Sequence, residues 1–246
     1  DKDLLAKEVS ALKGASATDG TEAVSASIAE YTEGKGYEIV SEQQGDILDE
    51  QATCEVIEKA VASLKESVDL SKEKAYKKPE FTSESDVLKD AVETLNRYVG
   101  TKITYQFGDD TVVLDGTRIN KWIKIKKDNT VKIRRNKVEK FVQELHRKYD
   151  TVFTNRKFKT AYGDTVTVYG GDYGWWMNTV KETDKLVKLI QKGAVKERTP
   201  EYRQTAVSYG DKDYGDTYAE VDLSGQHVFV VKNGKVVFDT ACVTGN

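Results

Sequence analysis

Apolar residues at spacings of three and four predict a series of amphipathic helices in the first 213 residues. The clearest stripe follows Asp49, a good N-cap residue, and contains Ala52, Val56, Ala60 and Leu64. Three further stripes, each bounded by a cap residue or a glycine, cover 85–100, 138–149 and 180–192. Together with a shorter stripe at 4–12, the pattern predicts four or five helices.

Alternating apolar and polar residues predict short strands between these helices. Gly108-Asp109 separates one such run at 103–107 from a second at 111–114, and Asp128-Asn129 separates another pair of runs. Short polar turns between β-type runs are typical of antiparallel hairpins. The alternation of strands with helices would also fit a parallel α/β sheet, but the hairpin signals favour antiparallel pairing. The predicted fold class is therefore α+β, with mixed helices and short antiparallel strands.

The last thirty residues have a different pattern, with three β-branched and aromatic runs at 218–223, 226–231 and 235–243. Asn233-Gly234 between the last two is a strong hairpin signal, because both residues tolerate positive φ. Three short strands leave an apolar face uncovered, so we expect residues 214–246 to be the first strands of an incomplete all-β domain. Residues 1–213 form the preceding α+β region, either as one unit or as two lobes with a boundary near residue 100.

Composition and charge exclude several classes of function. The chain is 38% hydrophobic and 32% charged, and its formal net charge of −3 provides no basic footprint for nucleic acid. No run of about 18 apolar residues predicts a membrane span. Cys54 and Cys242 fit neither a disulfide framework nor a zinc site, so we expect no metal and no cofactor. His146 and His227 lie at no recognisable spacing from a thiol or carboxylate, and we expect surface or packing roles for both.

Two stretches resemble a known protein family. Residues 220–235, followed by a strand and Val243-Thr244-Gly245, are similar to the opening of the catalytic domain of L,D-transpeptidases, the YkuD family. The order of motifs from about residue 25 onwards, including Tyr76-Lys77-Lys78-Pro79 and Gly170-Gly171-Asp172-Tyr173-Gly174-Trp175-Trp176, is similar to the peptidoglycan-binding domain that precedes it in many Firmicute members. The individual motifs are short, and their order is the specific part.

The resemblance implies an acyltransferase that cross-links cell-wall stem peptides through a cysteine acyl-enzyme. In this family the cysteine lies in a Ser-His-Gly-Cys motif with a histidine upstream, and neither motif occurs in this sequence. We therefore expect no catalytic residue in this chain and no activity from it alone; it would supply the substrate-positioning region. The resemblance also implies peptidoglycan as the partner, an extracytoplasmic location at a Gram-positive cell wall, and a single-pass membrane anchor N-terminal to this chain.

The densest chemical feature is the segment 169–178, which holds two of the three tryptophans and the only methionine. Aromatic faces beside glycine backbone suit sugar rings and stem peptides, so the candidate substrate-binding residues are Asp172, Tyr173, Trp175 and Trp176. The alternative, which the general role of tryptophan in cores favours, is a glycine-rich turn whose tryptophans fill the interior. The following segment 202–214, rich in tyrosine, glycine and charge, is predicted to be a solvated linker.

Two alternatives to the enzyme interpretation stay open. The first is a non-catalytic cell-wall-binding module, in which the region before residue 214 holds peptidoglycan. The second is a structural spacer, which predicts no binding to purified cell wall. The basic cluster at 121–135 is expected to be the solvated face of a hairpin, with electrostatic contact to anionic wall polymers as the alternative.

Overall fold

The computed structural model describes residues 2–12, 14–15 and 20–245. Within these residues the helices are α1 (Lys2–Ser10), α2 (Glu50–Ala62), α3 (Asp86–Val99), α4 (Gly116–Ile119), α5 (Arg135–Tyr149) and α6 (Thr179–Gln191), with a 3-10 turn at Asn120–Trp122. The strands are β1 (Ser27–Ile28), β2 (Ile39–Val40), β3 (Lys102–Phe107), β4 (Asp110–Leu114), β5 (Ile123–Ile125), β6 (Val131–Ile133), β7 (Arg156–Lys159), β8 (Thr165–Val168), β9 (Trp176–Met177), β10 (Val195–Arg198), β11 (Tyr202–Gln204), β12 (Tyr218–Asp222), β13 (His227–Lys232) and β14 (Lys235–Ala241). The mixture confirms the predicted α+β class.

The helices form where periodicity and caps predicted them. The Asp49 carboxylate accepts a hydrogen bond from the Ala52 N–H at 2.9 Å, and the Asn178 side chain accepts one from the Lys181 N–H at 3.2 Å. These bonds satisfy N–H groups that have no partner inside the helix. Helix α5 begins at Arg135, earlier than the predicted start, and no side chain caps it.

Most strand pairs are antiparallel, and one parallel pair departs from the prediction. The β3–β4 and β5–β6 hairpins are confirmed. Strand β10, however, runs parallel to β3, with Val195 opposite Lys102 and Arg198 opposite Tyr105. A parallel pair needs a long connection, and turn residues carry no information about a partner almost a hundred positions away.

By its internal contacts the chain divides into two compact units, Asp1–Asn96 with Ile125–Val131, and Arg97–Lys124 with Lys132–Asn246. In the first unit β1 pairs antiparallel with β2. The Asn96 amide there accepts the Tyr37 N–H at 2.8 Å and donates to the Tyr37 carbonyl at 2.9 Å, which holds the backbone just before β2. The predicted division into 1–213 and 214–246 stays a prediction.

The second unit is built on the sheet β10-β3-β4 and on the packed helices α5 and α6. Alternate residues of β3 are buried, as expected for a strand with one face in a core. Apart from Glu182, the largest fully buried side chains of this unit are apolar or aromatic: Tyr105, Phe141, Ile103, Leu114, Ile119, Met177, Leu186 and Ile190. Their burial is the main favourable contribution to this core.

A buried ion pair between Glu182 and Arg198 lies in the same core. Glu182, in the first turn of α6, is 0% exposed, and its carboxylate accepts hydrogen bonds from the Tyr105 hydroxyl at 2.5 Å and from the Glu201 N–H at 2.8 Å. The Arg198 guanidinium pairs with both carboxylate oxygens. Burial, reinforced by the neighbouring carboxylate, raises the pKa of the Tyr105 hydroxyl, so this group stays protonated and donates. The network fixes the chain where β11 begins.

The three predicted C-terminal strands form the antiparallel sheet β12-β13-β14. The turn at Asn233-Gly234 has positive φ at both residues, 49° and 72°, as the hairpin signal requires. Strand β14 is exposed along its whole length. Cys242 follows it as a half-buried free thiol, and residue 246 of the predicted segment lies outside the described residues.

Candidate functional site

The tryptophan segment predicted from the sequence is held against Thr151. The Trp175 N–H donates to the Thr151 hydroxyl at 2.9 Å, and the Trp175 carbonyl accepts the N–H groups of Thr151 and Val152 at 3.0 and 3.2 Å. Gly174 has a φ of +136°, and a Cβ on it would lie 2.6 Å from Thr151 Oγ1 and 2.7 Å from the Val152 nitrogen. Glycine is required because the two backbones approach so closely.

The Trp175 ring belongs to an internal aromatic cluster, which we call the Trp175 cluster and which consists of Trp175, Tyr202 and Tyr209. Trp175 stacks on Tyr209 at 4.1 Å between ring centroids, and it is tilted against Tyr202 at 4.9 Å. The indole N–H donates to the Ser208 carbonyl at 2.8 Å, and the two phenols hydrogen-bond at 3.1 Å. Burial raises the pKa of both phenols. The polar groups of this cluster are thus used within the chain.

The segment predicted as a solvated linker, 202–214, is only partly solvated: residues 210–212 are exposed, whereas Asp213 is buried and Tyr202 and Tyr209 are half-buried. Its role as a linker stays a prediction. The Asp213 carboxylate is buried and accepts hydrogen bonds from Arg156 at 2.8 and 2.6 Å and from the Thr151 hydroxyl at 2.6 Å. Burial opposes ionisation of Asp213, but the hydrogen bonds from Arg156 and Thr151 outweigh it and lower its pKa. The Asp213 carboxylate, which lies in a segment predicted to be solvated, is therefore paired with Arg156, 57 positions away in the chain.

Asp172 and Trp176 lie in different surroundings. Asp172 is exposed, and its backbone carbonyl accepts a hydrogen bond from the Gln204 side-chain amide at 2.8 Å. Half-buried Trp176 meets Phe153 edge-on at 5.6 Å, and the Arg203 guanidinium carbon lies 5.1 Å from its ring centroid. Neither side chain lines the cavity in which Tyr173 lies.

That cavity, of about 500 Å³, lies between the β7–β8 hairpin and strand β12. The Tyr173 hydroxyl accepts the Val207 N–H at 3.0 Å and donates to the Asp213 carbonyl at 3.3 Å, which sets the direction of the ring. We call this cavity the aromatic groove and define it by the apolar and aromatic side chains Phe158, Val166, Val168, Tyr173, Tyr214 and Tyr218.

The hairpin forms one wall of the aromatic groove because of strand alternation. Phe158 lies opposite Val166, so these side chains share one face of the hairpin. The tip of the hairpin is fastened to β12, since the Ala161 N–H donates to both oxygens of the Glu220 carboxylate at 3.1 and 2.9 Å. The groove is thereby a preformed feature of the second unit.

Three rings make the aromatic centre of the groove and pack at similar distances. The ring centroids of Phe158, Tyr214 and Tyr218 are separated by 5.5, 5.4 and 5.4 Å, with tilted or edge-on geometry. Burial raises the pKa of both phenols, so they are neutral near pH 7. Within the described residues neither phenol oxygen has a hydrogen-bond partner. The three rings offer apolar faces and neutral hydroxyls, which suit ligand binding. The lining of the cavity also includes the charged residues Arg156, Glu220 and Asp222.

The sequence candidates overlap with the groove at one residue. Of the four candidates, Tyr173 lies in the groove, and Asp172, Trp175 and Trp176 do not line it. The sequence analysis did not name the groove residues Phe158, Val166, Val168, Tyr214 and Tyr218, and its four substrate-binding candidates stay a prediction. A signal was present in the alternation of 156–159 and 165–168, but it reveals a face of a hairpin and not what that face meets.

Both histidines are paired with aspartates, which the sequence reasoning did not expect. His146 Nδ1 lies 2.7 Å from Asp150 Oδ2, and His227 Nε2 lies 2.9 Å from Asp239 Oδ2. In the described part of the chain no group of three or more His, Cys, Asp and Glu side chains is placed to hold a metal ion. The same residues contain no helix long and apolar enough to cross a membrane.

Comparison with known proteins places the groove partly in a recognised domain. Residues 81–198 match the family model described as "Putative peptidoglycan binding domain". This range includes the groove residues Phe158, Val166, Val168 and Tyr173, whereas Tyr214 and Tyr218 lie beyond it. No curated protein matches the chain.

Two solved structures are similar to this chain. The Ldtfm–avibactam carbamoyl enzyme is 32% identical, with 63% of this chain and 60% of that chain covered and a TM-score of 0.48. A cysteine-to-serine mutant of Enterococcus faecium L,D-transpeptidase is 32% identical, with 62% and 60% covered and a TM-score of 0.47. This chain therefore spans 60% of the length of each of these relatives. The family-model match supports the peptidoglycan-binding part of the resemblance.

Proposed function

We propose that this chain, which resembles an L,D-transpeptidase with a peptidoglycan-binding domain, binds peptidoglycan in the aromatic groove. In this proposal the chain positions the polymer for an enzyme that cross-links stem peptides through a cysteine acyl-enzyme. The observation that carries it is a cavity of about 500 Å³ whose hairpin wall lies inside the residues that match the peptidoglycan-binding model. No residue of this chain is proposed as catalytic.

The chemistry of the groove supports this ligand class. Sugar rings have apolar C–H faces that pack on aromatic rings, and their hydroxyls seek neutral hydrogen-bond partners. Phe158 supplies a ring, and Tyr214 and Tyr218 supply both rings and phenol hydroxyls. Val166 and Val168 are 43% and 48% exposed beside them, so apolar surface stays in contact with water until a ligand covers it.

The same proposal includes the location of the protein. Peptidoglycan as partner requires a site outside the cytoplasm, and we propose the cell wall of a Gram-positive bacterium, with attachment to the membrane through a segment outside this chain. The peptidoglycan-binding match supports the wall. The Gram-positive origin and the anchor rest on the resemblance alone.

Binding to purified peptidoglycan with a Val166→Glu variant tests the proposal. The new carboxylate would lie on the groove face of β8, where it would oppose an apolar ligand surface. Because Val166 is 43% exposed, the fold should tolerate the change to within about 0.5 kcal/mol. We expect the wild-type chain to sediment with peptidoglycan and the variant to stay in solution.

Val113→Glu is the matched control, since Val113 is also a half-exposed strand valine, at 49%, and does not line the groove. It should bind like the wild type. Equal binding by all three proteins would place the ligand elsewhere and overturn the groove assignment. No binding by any of them would leave the structural spacer as the better interpretation.

A further inference from the structure

The β7–β8 hairpin has two chemically different faces. Phe158 and Val166 lie on the face that lines the aromatic groove, whereas Lys157 and Lys159 alternate with Phe158 along β7 and lie on the opposite face. Thr165 lies opposite Lys159 in the register and belongs to that second face.

This second face lines a separate cavity of about 520 Å³, which we call the basic pocket. Its lining is polar: the cations are Arg156, Lys157, Lys159 and Lys212, and the neutral groups include Thr154 and Asn155. Arg156 and Tyr214 line both cavities, so the basic pocket and the aromatic groove share a wall.

The charge of the basic pocket is not balanced by the protein. Asp213 neutralises Arg156 in a buried pair, with side-chain exposures of 2% and 13%. Within the described residues the ammonium groups of Lys157, Lys159 and Lys212 have no ion-pair partner. Asp211 is the one carboxylate of the described lining that is left to oppose them. An anionic ligand would meet an excess of positive charge at a site with hydroxyl and amide groups beside it.

We infer that the basic pocket binds a carboxylate of a short peptide whose apolar portion or attached sugar occupies the aromatic groove. This inference rests on the proposed function and deepens it, because it names the peptide part of peptidoglycan as the portion that is recognised by charge. A carboxylate is favoured over a wall phosphate polymer, because the basic pocket shares a wall with the apolar aromatic groove, and a peptide has an apolar portion that could occupy the groove.

The test uses a fluorescently labelled Ala-Glu-Lys-Ala tetrapeptide with free carboxylates and the same peptide with both carboxylates converted to amides. Anisotropy titrations are made with the whole chain at low salt, where charge interactions are least screened. We expect the acid form to bind about tenfold more tightly than the amide form. The preference should shrink as salt is raised.

The double variant Lys157→Gln/Lys159→Gln should lose this preference. The matched control is Lys124→Gln/Lys132→Gln, which removes two exposed lysines from another two-stranded hairpin, β5–β6. The control should retain the preference, because it has the same change in net charge away from the basic pocket. A preference that survives in the Lys157/Lys159 variant would overturn the inference.

Other outcomes separate the inference from the proposed function. If the chain sediments with peptidoglycan in a Val166-dependent way but binds both tetrapeptides equally, the inference fails and the proposed function stands. If it does not sediment at all, the proposed function fails. Binding of a purified glycerol-phosphate polymer together with no binding of the acid tetrapeptide would assign the pocket to phosphate and overturn the carboxylate.

Discussion

Two aromatic clusters in the second unit have similar composition and different connections. In the Trp175 cluster, the indole N–H donates to a backbone carbonyl and the phenols of Tyr202 and Tyr209 bond to each other. In the groove cluster of Phe158, Tyr214 and Tyr218, the rings border a cavity, and neither phenol has a hydrogen-bond partner within the described residues. The first cluster is complete in itself, and the second offers faces and hydroxyls to a ligand.

The contrast shows that a high density of aromatic residues in the sequence can equally belong to a cluster whose polar groups bond within the chain. Trp175 and Trp176 stood out in the sequence because tryptophan is rare and the neighbouring residues are glycines. Gly174, however, is also explained by the close approach of its backbone to Thr151. An aromatic side chain is available to a ligand when its polar group has no hydrogen-bond partner in the protein and its ring face borders a cavity.

The largest effect that the comparison predicts is loss of stability in a Trp175→Ala variant. Removing a large ring that stacks on Tyr209 and bonds to Ser208 should lower the free energy of unfolding by about 3 kcal/mol. Urea denaturation followed by circular dichroism measures it. Tyr169→Ala, which removes a ring that is 74% exposed, is the control and should change stability by less than about 0.5 kcal/mol. Equal losses in the two variants would contradict the assignment of Trp175 as structural.

The next largest effect is a pH-dependent loss of stability in a variant of Asp213. This carboxylate bonds to Thr151, which holds the Trp175 backbone, and to Arg156, which lines the groove. Because folding lowers the pKa of Asp213, its ionised form stabilises the fold above the ordinary aspartate pKa of about 3.9. This contribution should be lost as pH falls below that value and through the lowered one. Asp213→Asn should cost about 2 kcal/mol at pH 7, because Arg156 is left without its partner.

Denaturation curves between about pH 5 and pH 2 measure the linkage. The difference in stability between wild type and Asp213→Asn should be constant near neutral pH and should shrink in acid. A difference that does not change with pH would mean that the charge of the Asp213 carboxylate contributes nothing to the free energy of unfolding. Arg156 lines the basic pocket, so the variant is assessed by stability and not by binding.

The smallest effect comes from the same chemical change made in each cluster. Tyr209→Phe removes a phenol that is hydrogen-bonded to Tyr202, and it should lower stability by about 1 kcal/mol without changing peptidoglycan binding. Tyr218→Phe removes a phenol with no hydrogen-bond partner among the described residues, and it should leave stability within about 0.5 kcal/mol while weakening binding a few-fold. The reverse pattern would exchange the roles of the two clusters.

Local pattern determined much of the secondary structure. Helices α2 and α6 form after Asp49 and Asn178, and the hairpin turns at Gly108 and Asn233-Gly234 lie where the sequence indicated them. Periodicity and caps act over a few residues, so a single sequence is sufficient to read them. The peptidoglycan-binding resemblance was also visible in the order of short motifs.

The tertiary structure decided the partners across long distances. It set β10 parallel to β3, paired Arg156 with Asp213, and packed Tyr209 of the predicted linker at 202–214 against Trp175. It also packed Tyr214 and Tyr218 against Phe158 of the β7–β8 hairpin, and this contact forms the aromatic groove. Such contacts depend on which surfaces meet when the chain closes on itself, and no local rule of spacing, capping or alternation encodes that choice.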